Sequence, residues 1–219
     1  MTPSSKPPFD LARFEPPLTV PTLDGGPVHL RPFNLSDSPL VCQAAVDPYI
    51  PSIASVPRAP CSEAEGGAFI ARQHERAAAG HGYSFVITDT TAATAAAAAA
   101  AAAATAANGA AVGVGSIGLW FREIESGRAD VGYWLLEAAR GRHLAGHALR
   151  TIAAWAFDEL AVPRLHLFVE PWNVASARTA AFAGFKFEAH LRAWERVDGE
   201  QRDADCYARL ASNGPGPLG

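Results

Sequence analysis

The chain has 219 residues and a mass of 23.0 kDa, which favours one domain over two. Its residues are 49% hydrophobic and 18% charged, which excludes global disorder, and its net charge of −4 disfavours a protein that binds nucleic acid through general electrostatics. Three scattered cysteines without a CxxC pair exclude a disulfide framework and favour a reduced, cytoplasmic protein.

The N-terminal part of the sequence predicts a loose arm followed by one strand and two helices. Residues 1–20 are rich in proline and lack periodicity, which is typical of a disordered or loosely draped arm, and they lack the apolar h-region of a signal peptide. The capping-box pattern of Ser62 and Glu65 predicts a helix start. The predicted elements here are a strand at Val28–Phe33, a helix at Ser38–Val46 and a helix from Ser62 to Ala79, closed by Gly80.

An alanine-rich insertion separates the next two predicted strands, Tyr83–Thr88 and Val112–Trp120. The insertion spans 91–111, and its first 17 residues contain 14 alanines. Alanine is weakly apolar and the run is short, so we expect no membrane span and no chemistry there. The two strands would form a hairpin without it.

The C-terminal half predicts a parallel strand pair followed by an antiparallel hairpin. A strand at Arg128–Leu136, a helix at Leu144–Leu160 and a strand at Arg164–Glu170 require a right-handed parallel crossover. The remaining predicted elements are a helix at Val174–Ala183, strands at Phe185–Val197 and Arg202–Leu210 joined at Asp198-Gly199, and a tail at 212–219. The order predicts an α/β fold with a mixed sheet, in a single domain over residues 21–211.

The turn between the strand ending at Leu136 and the following helix is the strongest candidate for a binding site. Free backbone N–H groups and the positive end of a helix dipole collect there, and both favour an anion. Basic side chains also concentrate there in an otherwise acidic chain, namely Arg140, Arg142, His143, His147 and Arg150. A phosphate-bearing ligand is therefore expected, although a simple turn with a solvated basic face would give the same pattern.

At this turn the sequence resembles the GCN5-related N-acetyltransferases (GNAT). Residues Arg140-Gly-Arg-His-Leu-Ala145 are similar to the acyl-CoA motif Q/R-x-x-G-x-G/A. The strand from Asp130 to Leu135 and the stretch from Glu170 to Ser176 resemble the RimJ/RimL-like branch, which acetylates ribosomal-protein N-termini. The resemblance covers about residues 27–210 and implies a GNAT fold, in which a central mixed sheet is flanked by helices. His143 departs from it, because that position usually carries the motif's second glycine.

The resemblance implies a co-substrate, acetyl-CoA, and no metal. The pyrophosphate would lie on the backbone of the turn and the pantetheine arm on the preceding strand, with Asn173 as a further contact. The implied cofactor-binding residues are Leu135, Leu136, Arg140, Gly141, Arg142, His143, Leu144, Ala145, Gly146 and Asn173. His143 and His147 are four residues apart, but no HExxH motif or third ligand accompanies them.

The resemblance also implies direct attack of a neutral amine on the thioester. Asp130 and Glu170 are the candidates for the base that removes the amine proton, and Ser176 is the candidate acid for the departing thiolate. Many relatives use a tyrosine at the position held here by Ala180, so the sequence closes that route. A backbone N–H near Leu135 would stabilise the oxyanion.

Three functions remain open from the sequence. The first is an N-acetyltransferase that acts on a protein N-terminal amine, the second is one that acts on a small-molecule amine such as an antibiotic, and the third is a non-catalytic acyl-CoA-binding regulatory module. His143 and Ala180 favour the third. Partners are expected to be acetyl-CoA and an amine, with no nucleic acid and no membrane, for a monomer or homodimer.

Overall fold

The alternating segments of the sequence form one eight-stranded sheet in a computed structural model that describes residues 8–91 and 112–211. The strands are β1 (Leu23–Asp24), β2 (Val28–Pro32), β3 (Gly82–Asp89), β4 (Gly113–Glu123), β5 (Arg128–Leu135), β6 (Arg164–Val169), β7 (Lys186–Val197) and β8 (Glu200–Leu210). Their order in the sheet is β1-β2-β3-β4-β5-β6-β8-β7. Only β5 and β6 pair in parallel among these strands, which confirms the predicted crossover and mixed α/β fold.

Helices cover both faces of this sheet. They are α1 (Ser38–Ala44), α2 (Ile50–Ile53), α3 (Glu63–Ala78), α4 (Leu144–Asp158) and α5 (Val174–Phe182). Along β3, Phe85 and Ile87 pack into the core beneath α4, whereas Val86 packs with α1 and α3 on the opposite face. Two apolar layers therefore enclose the sheet, and α4 crosses from β5 to β6 on the first of them.

Helix boundaries follow the local signals. α3 begins at the predicted capping box, in which the Ser62 hydroxyl accepts the Glu65 N–H and the Glu65 carboxylate accepts the Ser62 N–H. Gly80 follows α3 with a φ of +74°, a left-handed conformation that glycine adopts without a steric cost. β1 and α2 were not predicted, because two and four residues are too short to carry a periodicity.

The N-terminal arm differs from its expectation where it is described. Phe14 is buried in the main core, and Phe9, Leu18 and Val20 pack against it. The Leu18 N–H donates to the Ala77 carbonyl, and the Arg13 guanidinium donates to the Glu159 carbonyl at 2.6 Å. Residues 8–20 are therefore docked rather than loose. Residues 1–7, most of the insertion (92–111) and the tail (212–219) lie outside the described residues.

Two cysteines depart from the expectation of reduced thiols. Cys42 on α1 and Cys61 before α3 form a disulfide, with their Cα atoms 5.2 Å apart. They are 19 residues apart in sequence, and the packing of α1 on α3 brings them together. Cys206 is a buried free thiol.

A buried ion pair joins β2 to the turn before α1. The Arg31 guanidinium donates to both carboxylate oxygens of Asp37, at 2.7 and 2.8 Å, and the Asp37 side chain is 5% exposed. The Asp37 carboxylate also accepts the Asn34 N–H at 2.9 Å. Removing one partner of such a pair leaves the other charge buried without compensation.

We expect Asp37→Asn to lower the free energy of unfolding by about 3 kcal/mol, since it removes the carboxylate charge that pairs with the Arg31 guanidinium at a buried site. Glu123→Gln is the matched control, because Glu123 pairs with Arg128 at an exposed site and should contribute less than about 1 kcal/mol. Urea denaturation of the two variants measures the difference. Equal effects would show that the Arg31–Asp37 pair is no stronger than a surface pair.

Candidate active site

The central strands β5 and β6 separate over half of their length. Their parallel pairing covers three residue pairs and ends at Asp130 opposite His166. Beyond that point β5 continues to Leu135 along β4, and β6 continues to Val169 along β8. The unpaired halves of the two strands bound a gap in the middle of the sheet.

A cavity of about 460 Å³ occupies this region. β5 contributes residues 130–134 to its lining, β6 and the following loop contribute 167–170, and α5 with its cap contributes Asn173 and Ser176. A second cavity of about 930 Å³ opens on the sheet face away from α4, and the two share the side chains of Arg122, Asp130, Phe168 and Glu195. The two cavities therefore adjoin at these four side chains.

The β5 backbone presents hydrogen-bonding groups to this gap. The Leu136 N–H donates to the Val114 carbonyl, which places Leu136 on the β4 side of the strand. Because successive peptide groups point in opposite directions along a strand, the N–H groups of Tyr133 and Leu135 face the gap instead. An extended chain lying there could pair with them, as predicted for pantetheine at Leu135, whereas the Leu136 N–H is occupied.

The turn before α4 has the geometry of an anion-binding loop. Gly141 has a φ of +75° and His143 a φ of +58°, so two left-handed residues flank Arg142. The amides of Leu144, Ala145 and Gly146 form the first turn of α4 and have no partner inside the helix. These groups and the helix dipole favour an anion at this end. The left-handed conformation also explains why a glycine is usual at the His143 position.

The basic residues around this turn are largely engaged within the protein. The guanidinium of Arg140 pairs with Asp47 and donates to the Leu135 carbonyl. Arg142 pairs with the buried carboxylate of Asp89 at 2.6 Å. The rings of His143 and His147 and the guanidinium of Arg150 all contact Phe182 of α5. The predicted basic cluster is present, but its side chains contact other groups of the protein. An anion at this turn would therefore bind mainly to backbone N–H groups.

Asp130 lies at the point where β5 and β6 part, and it lines both cavities. Burial raises the pKa of its carboxyl group. The nearest ring nitrogen of His166, Nδ1, is 3.8 Å from the carboxylate, which is longer than a hydrogen bond. Within the described ranges no side chain is hydrogen-bonded to Asp130, so its oxygens can accept a proton from a ligand.

His166 is neutral in this environment. Burial lowers the pKa of its imidazole, with the Arg164 charge as the next cause. The Arg164 Nε–H donates to His166 Nε2 at 2.6 Å, so the ring proton lies on Nδ1, the nitrogen nearer Asp130. The ring therefore offers Asp130 a dipole rather than a full positive charge.

Glu170 lies at the end of β6 and is held by two aromatic side chains. The Tyr49 hydroxyl donates to Glu170 Oε1 at 2.8 Å, and the Trp172 Nε1–H donates to Oε2 at 2.9 Å. The rings of Tyr49 and Trp172 also contact edge to face, 4.9 Å apart. This arrangement ties the α1–α2 connection to the mouth of the cavity and leaves Glu170 less free than Asp130.

Asn173 and Ser176 form the start of α5 beside the gap. Asn173 Oδ1 accepts the Ser176 N–H at 3.0 Å, which confirms Asn173 as the N-cap of this helix. The Ser176 hydroxyl lies next to the phenol of Tyr133 from β5. The sequence did not single out Tyr133 or Tyr49 as cavity residues. Strand alternation placed Tyr133 on the same face as the core residues Ala129 and Val131, and that was the available signal.

The structure therefore brings together most of the predicted site. Asp130, Glu170, Asn173 and Ser176 line one cavity, and the N-terminus of α4 lies at the end of the same strand. Within residues 8–91 and 112–211, no cluster of three or more His, Cys, Asp or Glu side chains could hold a metal ion. In the same residues, no helix is both long and apolar enough to cross a membrane.

Comparisons with known proteins point in the same direction. Residues 28–186 match the model of the acetyltransferase (GNAT) domain family. An uncharacterized N-acetyltransferase p20 of Bacillus licheniformis is 29% identical over 44% of this chain and 54% of its own length. A probable N-acetyltransferase, YjcK, of Bacillus subtilis (strain 168) is 33% identical over 37% of this chain and 45% of its own. The chain thus matches about half the length of these curated relatives.

A solved structure shares the fold at low sequence identity. Mycobacterium smegmatis RimJ, in complex with a CoA disulfide, superposes with a TM-score of 0.70. The match covers 91% of this chain and 90% of that one, at 22% identity. The sheet and its flanking helices therefore share the fold of that protein.

Proposed function

Because this chain belongs to the acetyltransferase (GNAT) domain family, we propose that it transfers the acetyl group of acetyl-CoA to a primary amine. The observation that carries the proposal is the gap between β5 and β6, which ends at the amide-rich N-terminus of α4. One cleft then holds a phosphate-binding end and a carboxylate-lined end. A CoA thioester requires the first, and a nucleophilic amine requires the second.

Acetyl-CoA fits the residues of the cleft from the turn to the gap. The pyrophosphate would bind the amides of residues 142–146, and the pantetheine would pair with the free edge of β5 at Leu135. Arg140 positions this turn through Asp47 and the Leu135 carbonyl rather than by free charge. When bound, acetyl-CoA supplies the activated acetyl group, and the amides of β5 that face the gap stabilise the oxyanion.

Asp130 is the base in this proposal. A protonated amine has no lone pair for attack, so a proton acceptor must lie close to it. A carboxyl whose pKa is raised toward neutrality is a stronger base than an ordinary aspartate, and Asp130 has oxygens free to accept. Glu170 instead shapes the acceptor end through Tyr49 and Trp172.

The acceptor class is part of the proposal. The fold match to RimJ and the sequence features of the RimJ/RimL-like branch support a protein N-terminal amine. The second cavity, which joins the cleft at Asp130, gives such a chain room to enter from the face opposite α4. A small-molecule amine is the alternative acceptor. The cytoplasmic location, the oligomeric state and a single domain over 21–211 stay predictions.

A thiol-release screen tests this function. Purified protein is mixed with acetyl-CoA and with short peptides, aminoglycosides or small amines, and free CoA thiol is measured. Amine-dependent release, with the acetylated amine identified by mass spectrometry, supports the proposal. Binding of acetyl-CoA without release across the whole panel would instead indicate a non-catalytic acyl-CoA-binding module.

Ser176→Ala is expected to lower kcat at least tenfold and to change the acetyl-CoA Kd by less than twofold. The hydroxyl is the candidate proton donor to the thiolate. The variant keeps the backbone N–H of residue 176, so Asn173 Oδ1 still accepts it and caps α5. Ser176→Thr keeps the hydroxyl and should retain most of the activity. Steady-state kinetics and calorimetry separate the two effects, and an unchanged kcat in Ser176→Ala removes Ser176 from the mechanism.

A further inference from the structure

Tyr133 of β5 lines the cavity at the gap between β5 and β6. Its ring packs against the core beneath α4, and its hydroxyl oxygen is fully buried. That oxygen has no hydrogen-bond partner within the described residues, although the hydroxyls of Ser176 and Thr179 lie beside it. A buried hydroxyl without a partner costs free energy, so its place on a residue that lines a ligand-sized cavity points to a role with a bound ligand.

The neighbouring helix α5 carries no tyrosine at its candidate donor position. Ala180 on α5 is fully buried in the core against which Tyr133 packs, one turn after Ser176. An alanine has no hydroxyl, so the phenol beside Ser176 and Thr179 comes from the strand and not from the helix.

From this placement we infer that Tyr133 is a further catalytic residue, the proton donor to the CoA thiolate in the reaction proposed above. The inference rests on that proposed function. Two features of this chain carry it: a buried hydroxyl without a hydrogen-bond partner, on a residue that lines the cleft, and the position of that hydroxyl beside Ser176, the other candidate donor.

The proton balance of the step is complete with groups on this chain. The amine nitrogen bonds to the thioester carbon, and Asp130 accepts the amine proton. Collapse of the tetrahedral intermediate breaks the C–S bond, and the sulfur takes the Tyr133 proton. The phenolate is then reprotonated through Ser176 and solvent, while Asp130 releases its proton to solvent. The net products are the acetylated amine and CoA thiol.

The phenols of Tyr133 and Tyr49 both line the cavity, and their hydrogen bonds distinguish them. Burial raises the pKa of Tyr133, so it stays protonated at neutral pH and can donate. Burial and the Glu170 carboxylate both raise the pKa of Tyr49. Tyr49 already donates its proton to Glu170, so its hydroxyl is committed to holding that carboxylate. Tyr133 is the phenol whose proton is free to transfer.

The test compares Tyr133→Phe with Tyr83→Phe. Tyr83 is a matched control, because it is a buried tyrosine on β3 of the same sheet that lines neither cavity. We expect Tyr133→Phe to lower kcat at least tenfold while the acetyl-CoA Kd and the melting temperature stay close to wild type. Tyr83→Phe should leave kcat unchanged.

A double variant separates a proton relay from a packing effect. If Tyr133 and Ser176 act as one donor unit, Tyr133→Phe with Ser176→Ala should lower kcat about as much as the more severe single change. An unchanged kcat in Tyr133→Phe, or a loss explained wholly by weaker acetyl-CoA binding, overturns the inference. An inactive wild-type protein across the whole amine panel would instead overturn the proposed function.

Discussion

Asp130→Asn should reduce kcat by about 100-fold or more while leaving acetyl-CoA binding intact. General base catalysis contributes about 100-fold to 10,000-fold, and asparagine has the shape of aspartate without its basicity. Asp130 lies where β5 and β6 part, on the acceptor side of the gap, so the acetyl-CoA contacts at Leu135 and α4 are separate from it. Steady-state kinetics and calorimetry measure the two effects independently.

The pH dependence gives this prediction a second readout. Because burial raises the pKa of Asp130, wild-type kcat/KM should fall as the pH drops through that raised pKa. Ionisation of the acceptor amine adds its own limb in both proteins, so the informative quantity is the ratio of wild type to Asp130→Asn. That ratio should shrink toward acidic pH as Asp130 becomes protonated.

Stability should respond in the opposite direction to activity. The folded-state pKa of Asp130 lies above its unfolded value, so the ionised carboxylate disfavours folding at neutral pH. That cost begins to shrink as the pH falls through the folded pKa, and it is gone below the unfolded pKa. Asp130→Asn removes the ionisation, and we expect an unfolding free energy at neutral pH equal to or above wild type.

Glu170→Gln is the matched control for the base. It keeps acceptor oxygen for one of the hydrogen bonds from Tyr49 and Trp172, and it removes the charge at the other candidate carboxylate. We expect a smaller fall in kcat, less than tenfold, together with a change in KM for the amine. If Glu170→Gln is the more damaging variant and Asp130→Asn is nearly wild type, the roles are reversed.

His143→Asp should weaken acetyl-CoA binding about 100-fold without unfolding the protein. Aspartate tolerates the left-handed backbone that His143 adopts, and a carboxylate at a helix N-terminus stabilises the helix. The same carboxylate would face the pyrophosphate, and two like charges about 4 Å apart repel by roughly 4 kcal/mol near a protein surface before screening by salt. The affinity for acetyl-CoA should therefore fall, while the free energy of unfolding stays the same or rises.

Two neutral variants at this position isolate the charge. His143→Asn has nearly the shape of aspartate and also suits the left-handed conformation, so its acetyl-CoA Kd should stay within a few-fold of wild type. His143→Gly restores the residue usual at this position and should bind at least as well as wild type. Titration calorimetry at two salt concentrations should show the binding penalty of His143→Asp shrinking as the salt rises. Equal weakening by the asparagine and aspartate variants would mean that loss of the His143 side chain, not the added charge, controls binding.

Local patterns were enough to predict most of the framework. Short stretches of sequence predict three of its features, and the structure confirms them. They are the capping box at Ser62, the crossover from β5 through α4 to β6, and the turn at Gly141. Asp130 and Glu170 line one cavity because the same crossover makes β5 and β6 neighbours in the sheet.

The electrostatics of the site could not be predicted in the same way. Arg140 pairs with Asp47, 93 residues earlier, and Tyr49 donates to Glu170, 121 residues later. Such partners depend on how distant segments pack, and no local pattern encodes them. The basic turn therefore carries less free charge in the fold than its sequence indicates. The pairing of Cys42 with Cys61 escaped prediction for the same reason.

The role of Tyr133 lies between these cases. Strand alternation gives its face, but the position of its hydroxyl beside Ser176 and Thr179, without a hydrogen-bond partner, depends on how α5 packs on β5. From the sequence, Ala180 indicated the loss of a proton donor. In the structure, a phenol from the strand lies beside the same helix.

The central claim is that one cleft binds acetyl-CoA at the N-terminus of α4 and passes its acetyl group to an amine beside Asp130. The most direct measurement is amine-dependent release of CoA thiol from acetyl-CoA by wild type, Asp130→Asn and His143→Asp, with acetyl-CoA Kd values from calorimetry. We predict release by wild type, release that is about 100-fold slower or more with intact acetyl-CoA binding for Asp130→Asn, and about 100-fold weaker acetyl-CoA binding for His143→Asp. Tight binding of acetyl-CoA by His143→Asp, or equal release by wild type and Asp130→Asn, would contradict the account.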